Sequence, residues 1–245
     1  MEVHTHSHAL EKKNWKQYFW EFLMLFLAVF CGFLAEYQLE HKIEQDREKQ
    51  YMRSMVEDLR SDTLMLKKNI TLRQSRIMMM DSLIVMLNSP HRNRSGNDIY
   101  YYARSISPPA NIFPNDGIIQ QLKSSGNLRL IHNNSITNSI MAYDQKMRSV
   151  LFEMGDEVQI RAEYRQLARK LFRTEVFHDM IATDTVGRPT NDPQLYTNDP
   201  ALLNEFIGQV QYVKKVHQTQ LIRSEQLLVQ AKQLITDIKK EYRLK

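Results

Sequence analysis

The chain is poor in the residues that cross-link or turn a polypeptide. Its 245 residues include one cysteine, seven glycines and seven prolines. A single cysteine excludes an intrachain disulfide framework and a multi-cysteine metal site. Glycine and proline together reach only about half of their usual share of roughly 12%, which argues against a loop-rich enzyme or a β-sandwich. The composition favours a helical protein.

The few prolines are confined to two short windows, residues 90–114 and 189–200. The segments 1–89, 115–188 and 201–245 contain none. Proline removes a backbone donor and clashes with the preceding turn of a helix, so long helices avoid it. We therefore predict three long helical arms separated by two turn regions.

An apolar segment lies near the amino terminus. Residues 22–35 form a run of 14 without a polar side chain, and the aromatic residues 18–20 extend it across Glu21. Eighteen helical residues span about 27 Å, close to the ~30 Å hydrocarbon core of a bilayer. We predict a short tail over residues 1–16 and a transmembrane helix over residues 17–37.

A cleaved signal peptide is the alternative interpretation of this segment, because a basic flank and a short apolar run fit one. Cleavage requires small residues at both recognition positions, and Phe33 occupies the first of them before Ala35. The bulky Phe30 directly before Cys31 also argues against a lipidated cysteine. We favour an uncleaved membrane anchor.

The orientation of the anchor follows from its flanking charges. Lys12, Lys13 and Lys16 lie on the amino side within ten residues of the span, and Lys42 lies on the carboxyl side. The positive-inside rule then places the amino terminus in the cytoplasm and the large carboxyl-terminal part outside it. A window of twenty residues removes this bias, so the opposite orientation stays open.

Apolar residues recur at alternating steps of three and four in each arm, which is typical of a helix with one packed seam. The predicted arms cover residues 38–88, 133–184 and 199–243. The third has the clearest start, because the capping side chain of Asp199 precedes Pro200 in the first turn.

Residues 89–132 are predicted to form a small helical cap over the end of the bundle. A short helix over residues 118–124 would be closed by Gly126 in a left-handed conformation. The predicted fold is therefore all-α: a single transmembrane helix that continues into an elongated antiparallel bundle of three long helices with this cap.

Two stretches of the sequence resemble an uncharacterised family of single-pass membrane proteins from Bacteroidetes-type bacteria. The first covers residues 13–36 (KNWKQYFWEFLMLFLAVFCGFLAE) and the second covers residues 121–131 (QLKSSGNLRLI). The resemblance implies a bacterial inner-membrane protein, whose carboxyl-terminal domain would then be periplasmic. It implies no reaction and no catalytic residues.

Two features of the membrane segment are candidate functional sites. Glu21 is ionisable and could relay protons or pair with a partner helix, although a carboxylate near a helix amino end is also an ordinary interfacial residue. Ala28 and Gly32 form a small-x-x-x-small pair that could pack two membrane helices together. Chance in an alanine-containing helix is the alternative explanation of that pair.

The histidines and aspartates outside the membrane segment are weaker candidates. His4, His6 and His8 alternate in the tail and could bind a transition metal, but a flexible tail is the better interpretation. His217 falls on the seam of the third arm, where we expect a hydrogen-bonded core residue and not a ligand. Asp184, Asp192 and Asp199 share a loop, but their spacing matches no calcium loop.

No catalytic motif, cofactor fingerprint or cysteine-based metal framework is found, so an enzyme is not expected. The net charge of +5 is modest and basic residues alternate with acidic ones, so nucleic-acid binding is not expected either.

We predict a membrane-anchored structural or interaction protein, an oligomeric accessory or scaffold subunit of a bacterial envelope complex. Its partners would be the lipid bilayer and either further copies of the chain or another membrane protein. The alternative is an extracytoplasmic sensory bundle that binds a ligand and signals through a partner protein.

Overall fold

The computed structural model describes residues 14–182 and 185–244. The described part is almost entirely helical, which confirms the all-α prediction. The chain divides into two compact units, residues 1–50 and 51–245. The first helix, α1, covers Trp15–Asn88 and belongs partly to each unit.

In the first unit, α1 carries the apolar segment. Nearly all of its side chains between residues 15 and 40 are exposed. This is the one helix in the described chain that is long and apolar enough to cross a membrane. A signal sequence meets the same criteria of length and composition. The core helix of a soluble protein also meets them, but such a helix would be mostly buried, and none of this segment is buried. The segment thus fits a single membrane span.

In the second unit, α1 continues to Asn88 and five further helices follow. These are α2 (Gly96–Ile106), α3 (Gly117–Ser124), α4 (Asn134–Leu171), α5 (Thr174–Asp179) and α6 (Pro200–Glu241). Short 3₁₀ turns cover Arg92–Arg94 and Asn127–Leu130. Two very short strands, β1 (Ile181–Ala182) and β2 (Thr185–Val186), pair antiparallel.

The cap predicted for the last helix is confirmed. The Asp199 carboxylate accepts hydrogen bonds from the backbone N–H groups of Ala201 at 3.2 Å and Leu202 at 3.4 Å. These are donors that a helix start otherwise leaves without an intrahelical acceptor. Pro200 occupies the first turn, where its missing N–H costs nothing. Gly126, with φ 69°, has the predicted left-handed conformation after α3.

α4 runs parallel to α1. The Tyr143 hydroxyl on α4 donates to the Asp62 carboxylate on α1 at 2.7 Å. Further along both helices, the Arg73 guanidinium pairs with Glu157 at 3.0 Å. Residue numbers therefore rise together along the two helices.

α6 runs in the opposite direction to both. Ser224 donates to Asn69 at 3.4 Å, and Lys214 pairs with Asp81, so residue numbers fall along α6 as they rise along α1. The predicted fully antiparallel bundle is therefore wrong for the first two arms. An antiparallel pair needs only a short connection, whereas here the chain of residues 89–132 returns along the bundle before α4 begins.

This returning segment packs along the bundle and does not cover its end, so the predicted cap is also wrong. Ile99 and Ala103 of α2 lie in one core cluster, and Ile119 and Leu122 of α3 lie in the other. The predicted short helix exists, but its apolar residues fill the side of the bundle between the long helices.

The second long helix ends at Leu171, earlier than the predicted end at residue 184. Phe172 is extended (φ −103°, ψ 152°) and fully buried, with its ring 5.0 Å from those of Tyr100 and Phe177. The Tyr100 hydroxyl accepts the backbone N–H of Arg173 at 2.9 Å. The burial of Phe172 and this hydrogen bond stabilise the extended backbone that ends α4. No proline or glycine at this position of the sequence indicates the helix end.

The long helices meet through core positions that alternate by three and four residues, the spacing of knobs-into-holes packing. Two apolar clusters result. The first contains Met52, Met55, Leu59, Leu66, Ile140, Tyr143, Met147, Leu227, Leu234 and Ile238, among others. The second contains Met80, Leu83, Leu87, Tyr164, Leu171, Phe172, Leu203, Phe206, Val210 and Val213, among others. Each fully buried Leu or Met contributes about 1.5–3 kcal/mol relative to an exposed one.

Candidate functional site

Between the two apolar clusters, the core of the bundle becomes polar on all three long helices at the same level. We call this set the arginine layer. It contains Asn69, Arg73 and Arg76 of α1, Glu157 and Arg161 of α4, and His217, Gln220 and Ser224 of α6. All of them except Arg161, which is half-buried, are buried. Buried charge on this scale is expensive unless it is paired.

Glu157 stands at the centre of the layer and pairs with two arginines. One carboxylate oxygen lies 3.0 Å from Arg73 Nη2 and the other lies 3.2 Å from Arg161 Nη2. The exposed fractions of the Arg73 and Glu157 side chains are 1% and 4%. A single carboxylate thus offsets two guanidinium groups that burial has removed from water.

Backbone carbonyls of the returning segment complete part of the coordination. Ala110 O accepts from Asn69 at 2.8 Å and from Arg73 at 3.2 Å. Pro108 O accepts from Arg76 Nη1 at 2.7 Å. Because residues 107–111 are not helical, their carbonyls are free to accept these bonds, which fixes the segment against the bundle.

Arg76 has no carboxylate partner among the described residues, so the layer holds more positive than negative charge. Burial, and then the neighbouring Arg161 and Arg73, lower the pKa of Arg76 to about 10. A guanidinium with that pKa is still protonated at neutral pH. Three guanidinium groups therefore face one carboxylate.

Several buried polar atoms of the layer have no hydrogen-bond partner within the described chain. They are Arg73 Nη1, Arg76 Nε, His217 Nδ1 and Gln220 Oε1. A fifth atom, Glu157 Oε1, has its ion pair with Arg73 but no hydrogen bond of good geometry. Buried polar atoms are satisfied in the great majority of cases, so four orphans at one level of one bundle are unusual. Two of them are guanidinium donors.

His217 is buried, as its seam position indicated, but it is not the fully hydrogen-bonded core residue that we expected. Its Nδ1 atom is one of the four orphans. Burial, together with the positive charges of Arg73, Arg76 and Arg161, lowers the pKa of His217 to about 3. The imidazole is therefore neutral at physiological pH and adds no charge to the layer.

A small, partly open space adjoins this part of the layer. Its volume is about 10 Å³, and its lining combines Glu157, Arg161 and His217 with apolar residues of α2, α4 and α6. That volume corresponds to about one water molecule. This space is therefore too small for an organic ligand and holds at most one water molecule.

A second polar group holds α3 against α1. The Asp62 carboxylate accepts from the Tyr143 hydroxyl at 2.7 Å and from the backbone N–H of Asn115 at 2.8 Å. Asp58 accepts from the backbone N–H of Ile118 at 3.3 Å. Burial raises the pKa of Asp62, and these two hydrogen bonds act against that rise. This group has a structural role, because the carboxylate oxygens of Asp58 and Asp62 accept hydrogen bonds from the chain itself.

The outer face of α1 in the second unit carries a row of exposed apolar side chains. Leu64, Met78 and Val85 are fourteen and seven residues apart, and the exposed Thr71 occupies the seven-residue position between Leu64 and Met78. Their exposed fractions are 60%, 64% and 70%. These positions are opposite the buried seam in the heptad, so the bundle itself cannot cover them. We call this row the α1 stripe.

The predicted residues of the membrane segment are exposed. Glu21, Ala28 and Gly32 all lie on the surface of the first unit, and a side chain added at Gly32 would meet nothing within 4 Å. Close approach of a second helix at Ala28 and Gly32 stays a prediction. His4, His6 and His8 lie outside the described residues.

The loop aspartates have turn and capping contacts. Asp192 (φ 43°) and Asn97 exchange two hydrogen bonds, 2.8 Å and 3.2 Å, that join the loop to α2. Asp199 caps α6, and Asp184 lies outside the described residues. No group of three or more metal-ligating side chains occurs in the described parts of the chain.

The arginine layer was not predicted, although its signal is present in the sequence. Arg73, Arg161, His217 and Ser224 each interrupt an apolar seam. Each interruption looks like an isolated polar core position until the helix directions and registers are known. No protein-family model, curated protein or solved structure matches the chain.

Proposed function

We propose that this protein is a membrane-anchored helical interaction protein that self-associates through the α1 stripe and serves as an accessory or scaffold subunit of a bacterial envelope complex. The apolar segment of α1 would anchor it as a single-pass inner-membrane protein. The amino terminus would be cytoplasmic and the bundle periplasmic. The observation that carries the proposal is the exposed stripe of Leu64, Met78 and Val85.

The occupant we assign to the stripe is a second copy of the same chain. We expect the α1 helices of the two copies to pair in parallel, so that identical residues at seven-residue steps face one another. Confinement to the membrane also raises their effective concentration. Ala28 and Gly32 would assist by letting the membrane helices approach.

The energetics are consistent with a reversible dimer. Burying one partly exposed Leu, Met or Val contributes roughly 1–2 kcal/mol. Six such side chains in a symmetric pair contribute roughly 6–12 kcal/mol, against an association cost of about 4–15 kcal/mol in free solution. The shared membrane lowers that cost, since it restricts orientation beforehand.

Disulfide trapping in isolated membranes tests the proposal. In a Cys31→Ser background, Met78→Cys should form a cross-linked dimer under mild oxidation. Gln166→Cys is the matched control, because it is exposed on α4 and not on α1. Efficient trapping at Gln166→Cys with none at Met78→Cys would contradict dimerisation through the stripe.

A sensory function is the second candidate, and the arginine layer favours it. Positive charge is concentrated there inside the bundle, on Arg73, Arg76 and Arg161. A bound ligand could bias the packing of α1, α4 and α6, and a partner protein would then have to carry the signal. A mutation in the layer that changes dimer formation without unfolding the bundle would support this function.

A further inference from the structure

An open cleft lies where the end of α2 meets α4 and the small hairpin of β1 and β2. We call it the α2 cleft. Its volume is about 420 Å³, within the range of roughly 300–1,000 Å³ that is typical of sites for small molecules. The polar groups of its lining include the side chains of Arg104, Ser107 and Arg165. Apolar groups supply much of the rest, among them Pro108, Pro109 and Val186.

The two guanidinium groups that line the α2 cleft are each held in place by the chain. Arg165 Nε donates to the Ser107 hydroxyl at 3.2 Å, and Arg165 Nη2 donates to the Ser107 carbonyl at 2.9 Å. The Arg104 guanidinium lies over the ring of Phe177, 5.8 Å from its centroid. That contact uses the face of the guanidinium and leaves its N–H edge available. Neither arginine has a carboxylate partner within the described residues, so the cleft has two uncompensated positive charges.

The hydroxyl of Ser107 supplies a third donor to the α2 cleft. This side chain is only 6% exposed, and its oxygen accepts from Arg165, but its hydrogen has no acceptor in the part of the chain that the structure describes. Buried hydroxyls are usually hydrogen-bonded, and a hydroxyl can donate as well as accept. The neighbouring carbonyl oxygens of Ala103 and Ser107 already accept from Tyr164 and Arg165. A hydrogen-bond acceptor inside the cleft would therefore complete the bonding of Ser107.

We infer that the α2 cleft binds a small organic carboxylate. The carboxylate oxygens accept from Arg104, Arg165 and Ser107, because guanidinium groups present N–H donors in a geometry that matches a carboxylate. The apolar body of the ligand lies against the apolar part of the lining. A neutral ligand would leave both guanidinium charges uncompensated, and an inorganic anion would leave the apolar lining in water. The inference goes beyond the proposed scaffold function and does not depend on self-association.

Ligand-observed fluorine NMR with the full chain in nanodiscs tests the inference. The probes are para-fluorobenzoate and para-fluorobenzamide, which share a ring and a shape but differ in charge, and empty nanodiscs give the baseline for partition into lipid. The benzoate signal should broaden saturably above that baseline, and the benzamide signal should not. Excess inorganic phosphate should displace the benzoate only in part. Equal broadening of the two probes, no broadening of the benzoate, or its complete displacement by phosphate would overturn the inference.

Three variants assign the binding to the α2 cleft. Arg165→Gln and Arg104→Gln should each raise the dissociation constant of para-fluorobenzoate about tenfold, because each removes a hydrogen bond to a charged group. Arg169→Gln, at an exposed position one turn further along α4, is the matched control and should leave that constant nearly unchanged. Circular dichroism checks that each variant folds, and Arg104→Gln keeps the test decisive if Arg165→Gln does not. An unchanged constant in Arg104→Gln, or an equal rise in Arg169→Gln, would contradict the site.

Discussion

The charge imbalance of the arginine layer predicts that two substitutions in the same cluster differ strongly in how much they destabilise the fold. Glu157→Gln keeps the shape of the side chain but removes the one carboxylate that pairs with Arg73 and Arg161. Removing one partner of a buried ion pair typically costs about 3–5 kcal/mol. That is a large part of the roughly 5–15 kcal/mol by which a domain is stable.

Arg76→Met should behave differently. It removes a buried charge that Arg73 and Arg161 repel, and it loses one hydrogen bond to Pro108 O, worth about 1 kcal/mol. We expect the free energy of unfolding to stay within about 1 kcal/mol of the unmodified value or to increase. Combining Arg76→Met with Glu157→Gln should recover part of the loss caused by the latter.

The assay is denaturant unfolding of the full chain in micelles, followed by circular dichroism of the helices. Tryptophan fluorescence is unsuitable, because Trp15 and Trp20 both lie in the first unit. Glu225→Gln, at an exposed position of α6, is the control and should change stability by less than about 0.5 kcal/mol. The reasoning is refuted if Arg76→Met costs as much as Glu157→Gln.

Three further predictions concern single residues of the bundle. Gly96→Ala should strongly destabilise the second unit, because a Cβ there would lie 2.4 Å from a backbone carbonyl oxygen. Gly208→Ala is the matched control: a Cβ there meets nothing within 4 Å, so this change should stabilise the unit by roughly 0.5–1 kcal/mol. The melting temperatures of the two variants test both predictions. Tyr143→Phe should cost about 1–3 kcal/mol in denaturant unfolding, since the buried Asp62 carboxylate loses its 2.7 Å hydrogen bond. The pKa of His217 is about 3 in the folded state and about 6.5 in the unfolded state, so between these values only the unfolded state binds the proton. The free energy of unfolding should therefore fall by up to about 1.4 kcal/mol per pH unit as the pH drops from 6.5, and His217→Gln should flatten that slope; an unchanged slope would show that other groups cause it.

The sequence predicted the features that depend on local chemistry. Asp199 before Pro200 marks the start of α6, and Gly126 marks a left-handed turn, because a cap and a positive φ each require particular residue types. The three long helices followed from proline positions and apolar spacing. The exposed apolar segment of α1 followed from composition alone.

The features that depend on long-range packing were not predictable. The parallel direction of α4 depends on where residues 89–132 lie, and their apolar residues fit the side of a bundle as well as its end. The end of α4 depends on burial of Phe172 against Tyr100, which are 72 residues apart in the chain. The arginine layer exists because Arg73, Glu157 and His217 lie at the same height along the bundle. That height depends on how the three long helices are aligned with one another, which the spacing within one helix does not reveal.

The mass of the intact protein in its membrane tests the proposed self-association most directly. Native mass spectrometry of the full chain in nanodiscs should detect two copies per assembly. Met78→Glu, which places a charge in the α1 stripe, should shift the population to one copy without loss of helicity. A strict monomer for the unmodified chain at every protein-to-lipid ratio would contradict the account.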